Sequence, residues 1–178
     1  KNIIPKGILV INKDDKYFNY FRNEARKKDL KIISFSIKDK NADVTFIKEK
    51  KFNNRFIVTL KINKDYKKFI ISKELVNFKH NIVGAVGIIA NFFEIEKMRK
   101  DLFLDFKIPQ GRGSEFHYKN KKKIIKILDE SYNSNPLSLK FSLAKYDDAY
   151  KDKKNKHILI GDMLELGRFS KKLHIQIA

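Results

Sequence analysis

Apolar and polar positions along the chain alternate with two different periods. Residues 7–11 form a short apolar run that closes at Asn12-Lys13-Asp14-Asp15, after which Phe18, Phe21 and Ala25 recur at helical spacing to about Lys28. Residues 31–37 are apolar again, so residues 7–37 predict strand, helix, strand, a βαβ-like unit that favours parallel pairing with both faces covered. From Val44 the period drops to two. Val44 and Phe46, then, beyond Asn53-Asn54, Phe56, Val58, Leu60 and Ile62 predict a hairpin, with a further strand at 69–72. Residues 78–93 are apolar on nearly every side and predict a buried helix, and 94–103 predict a second, amphipathic one.

The pattern breaks at Lys107-Ile108-Pro109-Gln110-Gly111-Arg112-Gly113, because proline ends helices and glycine permits unusual backbone angles. The expected division is therefore 1–108 and 109–178. Beyond it, residues 123–128 predict a near-continuous apolar strand ending in Asp129-Glu130-Ser131, and Asn135-Pro136 supplies a helix cap followed by proline at the first helical position. That helix carries Leu137, Phe141 and Ala144 on one face. Residues 157–160 predict a second buried strand, and a further helix begins near Ser170 and is expected to be still running at Ala178. A first strand entered almost at once and a last helix without a cap lead to the expectation that the chain is a piece of a longer protein. The expected fold class is α/β: the end of a mixed-sheet domain followed by the start of a Rossmann-like one.

Composition changes this picture only at the margins. The 178 residues are 42% apolar with 15 Phe, which argues against a disordered chain, and the absence of Cys removes disulfide scaffolds and Cys-based zinc sites. No apolar run reaches the length of a membrane span; the longest candidate, 82–93, is interrupted by Gly84, Gly87 and Asn91. The start of the chain has no signal pattern, and the expected compartment is the cytoplasm. The net charge of +19 invites a nucleic-acid reading, since clustered Lys and Arg neutralise phosphates. Yet 34 of the 40 basic residues are Lys, whereas base reading and bidentate phosphate grip favour Arg. Lysines are spread along the whole chain, the densest run being 119–123, a solvated turn entering a strand, so the charge reads as a solvated surface.

The chemistry-bearing candidates follow the predicted strand ends. Asp129 and Asp162 each close a predicted parallel strand, and a right-handed crossover between those strands would set both on one rim, where open α/β sheets bind ligands. Carboxylates there accept hydrogen bonds from ribose hydroxyls or hold a metal's water shell; they also cap loops and helices. Between Asp129 and Pro136 runs Glu130-Ser131-Tyr132-Asn133-Ser134-Asn135, a polar loop leading into a helix N-terminus. Asn81, after His80, offers a carboxamide that can pair with an adenine edge or cap a helix. Arg112, flanked by glycines, can reach a phosphate or form an exposed salt bridge. Asn12, Asp14 and Asp15 form another strand-end cluster that a helix cap explains equally well. Zinc-protease, serine-hydrolase and P-loop templates are all unmatched: none of the seven glycines opens a G-x-x-x-x-G-K-[ST] loop.

Taken in order, these segments resemble the Mur ligase family. The resemblance runs from Val10-Ile11-Asn12-Lys13-Asp14-Asp15 through Lys79-His80-Asn81-Ile82, Gly111-Arg112-Gly113 and the 129–136 loop to Gly161-Asp162-Met163-Leu164-Glu165-Leu166-Gly167, with His174 at the family's distance beyond. It implies the later part of a central ATPase domain followed by the first part of a C-terminal ligase domain. It also implies ATP-dependent amide ligation through an acyl phosphate, with ATP and Mg²⁺ required and UDP-N-acetylmuramoyl-tripeptide and D-alanyl-D-alanine as substrates. By resemblance His80 and Asn81 lie at the adenine, Arg112 reaches ATP phosphate, and Asp129 is near the ribose. Tyr132, Asn133 and Asn135 line the substrate cleft, with Asp162 and Glu165 on a neighbouring loop. The sequence departs from the family's habit at Gly84, where a second asparagine is usual, and at Glu130 and Ser134. The phosphate cradle, the metal ligands and the rest of the N-terminal part are expected upstream of this sequence. The chain alone is expected to be inactive.

Overall fold

The computed structural model describes residues 3–121 and 123–177. It divides into two compact units, residues 1–107 and 108–178. Unit 1 opens with strand β1 (Ile8–Asn12), helix α1 (Phe18–Lys27) and strand β2 (Lys31–Ser36), with β1 and β2 parallel and Val10 opposite Ile33. Three strands follow: β3 (Val44–Phe52), β4 (Arg55–Ile62) and β5 (Asp65–Ser72), giving a five-stranded mixed sheet in chain order. β3 is parallel to β2 but overlaps it by only two residue pairs, Phe35 with Val44 and Ser36 with Thr45. A parallel neighbour ordinarily needs a long crossover because the chain must travel back. Here β3 starts alongside the end of β2, so no return is needed. β3, β4 and β5 then pair antiparallel, as the period of two implies.

Helix α2 (Lys79–Ile89) covers the sheet face that carries Val10, Ile33, Phe35 and Val44. It approaches closely because it has glycine where it touches: a Cβ on Gly87 would stand 3.3 Å from Val10 Cγ1, and one on Gly84 would stand 3.2 Å from the Phe35 ring. Val44, Val58, Leu60, Ile62, Phe69, Ile71, Val83 and Val86 are sealed from solvent and form the core. The apolar stretch at 78–93 is helical over a shorter span than its hydrophobicity suggests. A 3₁₀ turn, Glu74–Phe78, leads into it, and the Asn91 carboxamide donates to the Gly87 carbonyl at 2.7 Å, satisfying an orphan acceptor where the helix stops.

The amphipathic helix expected at 94–103 does not form. That stretch is a chain of turns, with the Lys97 and Met98 amides bonded to the carbonyls three residues before them. Tertiary contacts outbid the helix: the Ile70 amide of β5 donates to the Lys100 carbonyl at 2.7 Å, Phe103 bridges to Ile71, and its ring meets Phe69 edge-on at 5.6 Å. The segment therefore covers the outer edge of β5.

In unit 2, β6 (Ser114–Asn120) and β7 (Lys123–Asp129) form an antiparallel hairpin, and α3 (Pro136–Ala149) follows. Lys122, inside the basic 119–123 run, lies outside the described residues. The second buried strand expected at 157–160 is absent. That segment is in no sheet, and Ile158, Leu159 and Ile160 are exposed. An apolar run becomes a strand only when a neighbour takes its amides and carbonyls, and the partner of β7 is the antiparallel β6. The parallel pair that would have put Asp129 and Asp162 on one rim is therefore not formed. Leu137 and Phe141, the expected apolar face of α3, are also exposed. After a 3₁₀ turn, helix α4 spans Ser170–Ile175 and ends there instead of continuing; Ala178 lies outside the described residues. No helix among the described residues is long and apolar enough to cross a membrane.

Candidate functional site

Because β1 and β2 are parallel, their carboxyl ends share one edge of the sheet, and the first turn of α2 reaches the same place. Asp14 is the centre of that junction, its side chain only 7% exposed. The Ser36 hydroxyl donates to its Oδ1 at 2.5 Å, the Ile37 amide donates to its Oδ2 at 2.8 Å, and His80 Nε2 stands 3.4 Å from Oδ2. Burial raises the carboxyl's pKa, but the Ser36 and Ile37 hydrogen bonds and the charge of His80 outweigh it, and the net shift is below the ordinary carboxylate value. The Asp14 amide donates to Asn12 Oδ1 at 2.9 Å, and Ser36 Oγ accepts from the amides of Lys38 and Asp39. Lys13 pairs with Asp39 at 2.9 Å and holds that carboxyl low as well. One carboxylate thus ties the two loops to the helix that carries His80 and Asn81.

Beside this junction an open groove of about 400 Å³ is lined by Val10, Phe35, His80, Asn81, Gly84, Ala85 and Ile88. Apolar walls with an imidazole and a carboxamide among them suit a flat heteroaromatic ring that needs both stacking surface and hydrogen bonds. A side chain at Gly84 would press on Phe35 and occupy this space.

A second cluster forms within unit 2. Gly111 and Gly113 have φ of +74° and +84°, the left-handed region that glycine alone adopts freely. Their turn lies against the 129–132 loop: the Tyr132 amide donates to the Gly111 carbonyl at 3.1 Å, and the Gly113 amide donates to the Asp129 carbonyl at 2.9 Å. A Cβ on Gly111 would lie 2.7 Å from the Tyr132 nitrogen, so no other residue fits. This places the Arg112 guanidinium over the Tyr132 ring, 4.3 Å from its centroid. Asp129 Oδ1 accepts from the Ser131 amide at 3.0 Å. Hydrogen bonds from Ser131, side chain and backbone, and from the Gly111 amide draw the Asp129 pKa down. The result is a half-buried, ionised carboxylate close in the fold to an exposed cation.

Arg112, Asp129 and Tyr132, separate in sequence, are thus local neighbours. Asn133 is exposed in the same loop, and Asn135 Oδ1 is taken by the amides of Leu137 and Ser138, the first turn of α3. Asp162 and Glu165 are exposed on the 161–167 loop and are not tied to Asp129 by any strand. Sequence reasoning missed Ser36 and Phe35, and it read Asp14 as one of a strand-end cluster that a helix cap explains equally well. The available signal was the βαβ pattern itself, which puts the residues just past both parallel strands on one edge. Among the described residues, no group of three or more His, Asp or Glu side chains is placed to hold a metal ion.

Comparison with known proteins matches residues 1–90, just over half of the chain, to the family described as the Mur ligase middle domain. The chain is similar to UDP-N-acetylmuramoyl-tripeptide--D-alanyl-D-alanine ligase of Rickettsia prowazekii, with 25% identity over 178 residues. That alignment covers 99% of this chain and 38% of the relative, so the chain spans well under half the length of that protein. Among solved structures it resembles MurF from Acinetobacter baumannii (TM-score 0.60, 19% identity, 98% of this chain and 36% of that one). It also resembles MurF ligase from Thermotoga maritima in complex with ADP (TM-score 0.61, 19% identity, 97% of this chain and 37% of that one). These likenesses establish the mixed α/β fold.

Proposed function

Since this chain belongs to the Mur ligase family, we propose that it is the later part of the central domain (1–108) and the first part of the C-terminal domain (109–178) of a D-alanyl-D-alanine-adding ligase. The observation that carries this reading is the similarity of nearly the whole chain to a relative bearing that activity in its name. The reaction is amide formation between the carboxyl end of UDP-N-acetylmuramoyl-tripeptide and the amine of D-alanyl-D-alanine. ATP, as co-substrate, supplies the phosphoryl group that turns the carboxylate into an acyl donor. On this reading the protein works in the cytoplasm, in peptidoglycan synthesis.

On this reading each unit, taken by itself, offers groups suited to part of the nucleotide. The groove beside His80 and Asn81 accepts the base, with Phe35 and Ile88 as apolar walls and the Asn81 carboxamide as the paired donor and acceptor. Asp129, held ionised, accepts from ribose hydroxyls. Arg112 neutralises phosphate charge, its planar group oriented by Tyr132. Tyr132, Asn133, Asn135, Asp162 and Glu165 line the place where the activated acyl group meets the dipeptide. Asn135 contributes mainly through α3, since its oxygen is already occupied as the cap. Among the described residues no cluster of carboxylates and imidazoles is placed to hold Mg²⁺. On this reading the metal ligands and the phosphate cradle belong to other parts of the protein.

The test is turnover of the full-length ligase. Arg112→Ala and Asp129→Asn are each expected to lower kcat/KM by roughly 10²- to 10³-fold, with unchanged circular dichroism. Asparagine keeps one acceptor oxygen for the Ser131 amide and replaces the other oxygen, and the charge, with an NH₂ group. Wild-type turnover in both variants would defeat the assignment.

A further inference from the structure

Met163 is the buried apolar side chain among the described residues of unit 2, and its amide is held by a histidine farther along the chain. The Met163 N–H donates to Nε2 of His174 at 3.0 Å, and Nδ1 of the same ring lies 2.8 Å from the Ser170 carbonyl, one helical turn back. A carbonyl only accepts and an amide N–H only donates. The two contacts together therefore require a neutral ring with its proton on Nδ1 and a bare Nε2. Asp162 Oδ1 stands 3.9 Å from that same Nε2. Asp162 is the charged group facing the ring; Arg168, Lys171 and Lys172 lie on the adjoining stretch of chain. Residues 161–164 belong to no helix or strand, and Glu165 and Gly167 turn the chain through φ of +61° and +53°. The clamp on Met163 is thus a side-chain restraint on a loop that lacks regular backbone pairing.

We infer that His174 is a positioning residue: through its unprotonated Nε2 it holds the backbone at Met163 and so sets the placement of Asp162 and Glu165 on the same loop. A protonated ring would turn N–H against N–H at Met163, and its Nε2 would take the Asp162 carboxylate instead. Deprotonation restores the clamp. The consequence for ligation rests on the proposal that Asp162 and Glu165 meet substrate: loss of the clamp then raises KM for the dipeptide more than it lowers kcat.

Amide hydrogen exchange followed by NMR on the 178-residue chain tests the clamp directly. The Met163 protection factor is expected to fall roughly tenfold or more when acidification protonates the ring, while amides in β4 and β5 keep theirs. His174→Gln, whose amide oxygen takes the place of Nε2, should keep most of the protection and lose the pH dependence. His174→Asn, which ends at the Nδ1 position, should lose protection at every pH. A wild-type Met163 protection factor indifferent to pH overturns the inference whether or not either variant folds, and so does wild-type protection in His174→Asn. No substrate enters this measurement, so its failure is separate from a failure of the ligase assignment, which Arg112 and Asp129 test.

Discussion

Asp14 shows how one side chain comes to hold several elements together. A carboxylate so far from solvent is costly unless its lone pairs are taken, and here a hydroxyl, an amide and an imidazole take them. Asp14→Asn replaces a charge acceptor with a group that presents N–H to some of these partners, and is expected to cost about 1–3 kcal/mol in urea denaturation at neutral pH. The acid limb follows from the direction of its pKa. The folded value lies below the ordinary 3.8, so the stabilisation is fully present above 3.8 and is lost as pH falls through the lower folded value. The gap between wild type and Asp14→Asn should therefore narrow on acidification below 3.8; a constant gap would mean that the charge contributes nothing. Ser36, by contrast, looks in the sequence like any polar residue closing a strand. Its role appears only once β2 is laid beside β1.

At the scale of elements, local rules predicted what local forces decide. Asn135 and Pro136 announce the start of α3, and the cap is reciprocal: Asn135 Oδ1 takes the Ser138 amide at 2.9 Å, and the Ser138 hydroxyl takes the Asn135 amide at 3.0 Å. Asn135→Ala is expected to lower stability by about 1 kcal/mol, with reduced helical signal in circular dichroism and faster exchange of the Leu137 and Ser138 amides. The failures have a common cause. Residues 94–103 have a helix's spacing, but Lys100 and Phe103 are drawn to the edge of β5, and backbone laid along a strand edge to make those contacts is not wound into a helix. Residues 157–160 have a strand's composition but no neighbour. In β6 the signal was present and passed over: Phe116 and Tyr118 alternate with polar residues before a turn whose Lys121 has φ of +51°.

Across the whole molecule, a net charge of +19 carried mainly by lysine makes the folded chain repel itself. Added salt screens that repulsion, so Tm should rise with NaCl up to about 0.15–0.2 M, where the screening length shortens to about 8 Å. A Tm that is flat or falls over this range would mean that local ion pairs such as Lys79 with Glu49 and Lys126 with Glu115 offset the excess. The sequence by itself determined the βαβ opening, the period-two hairpin, the glycine-rich break before Ser114, the cap of α3 and the order of the family's motifs. Each depends on spacing, turn chemistry or capping within a few residues of chain. Only the tertiary structure decided that Asp14 and Ser36 support His80, that Arg112 lies on Tyr132, that β7 pairs with β6 rather than with 157–160, and that His174 holds Met163. Those outcomes depend on which distant backbone groups satisfy one another, and hydrogen-bond partners far apart in sequence leave no mark in local periodicity.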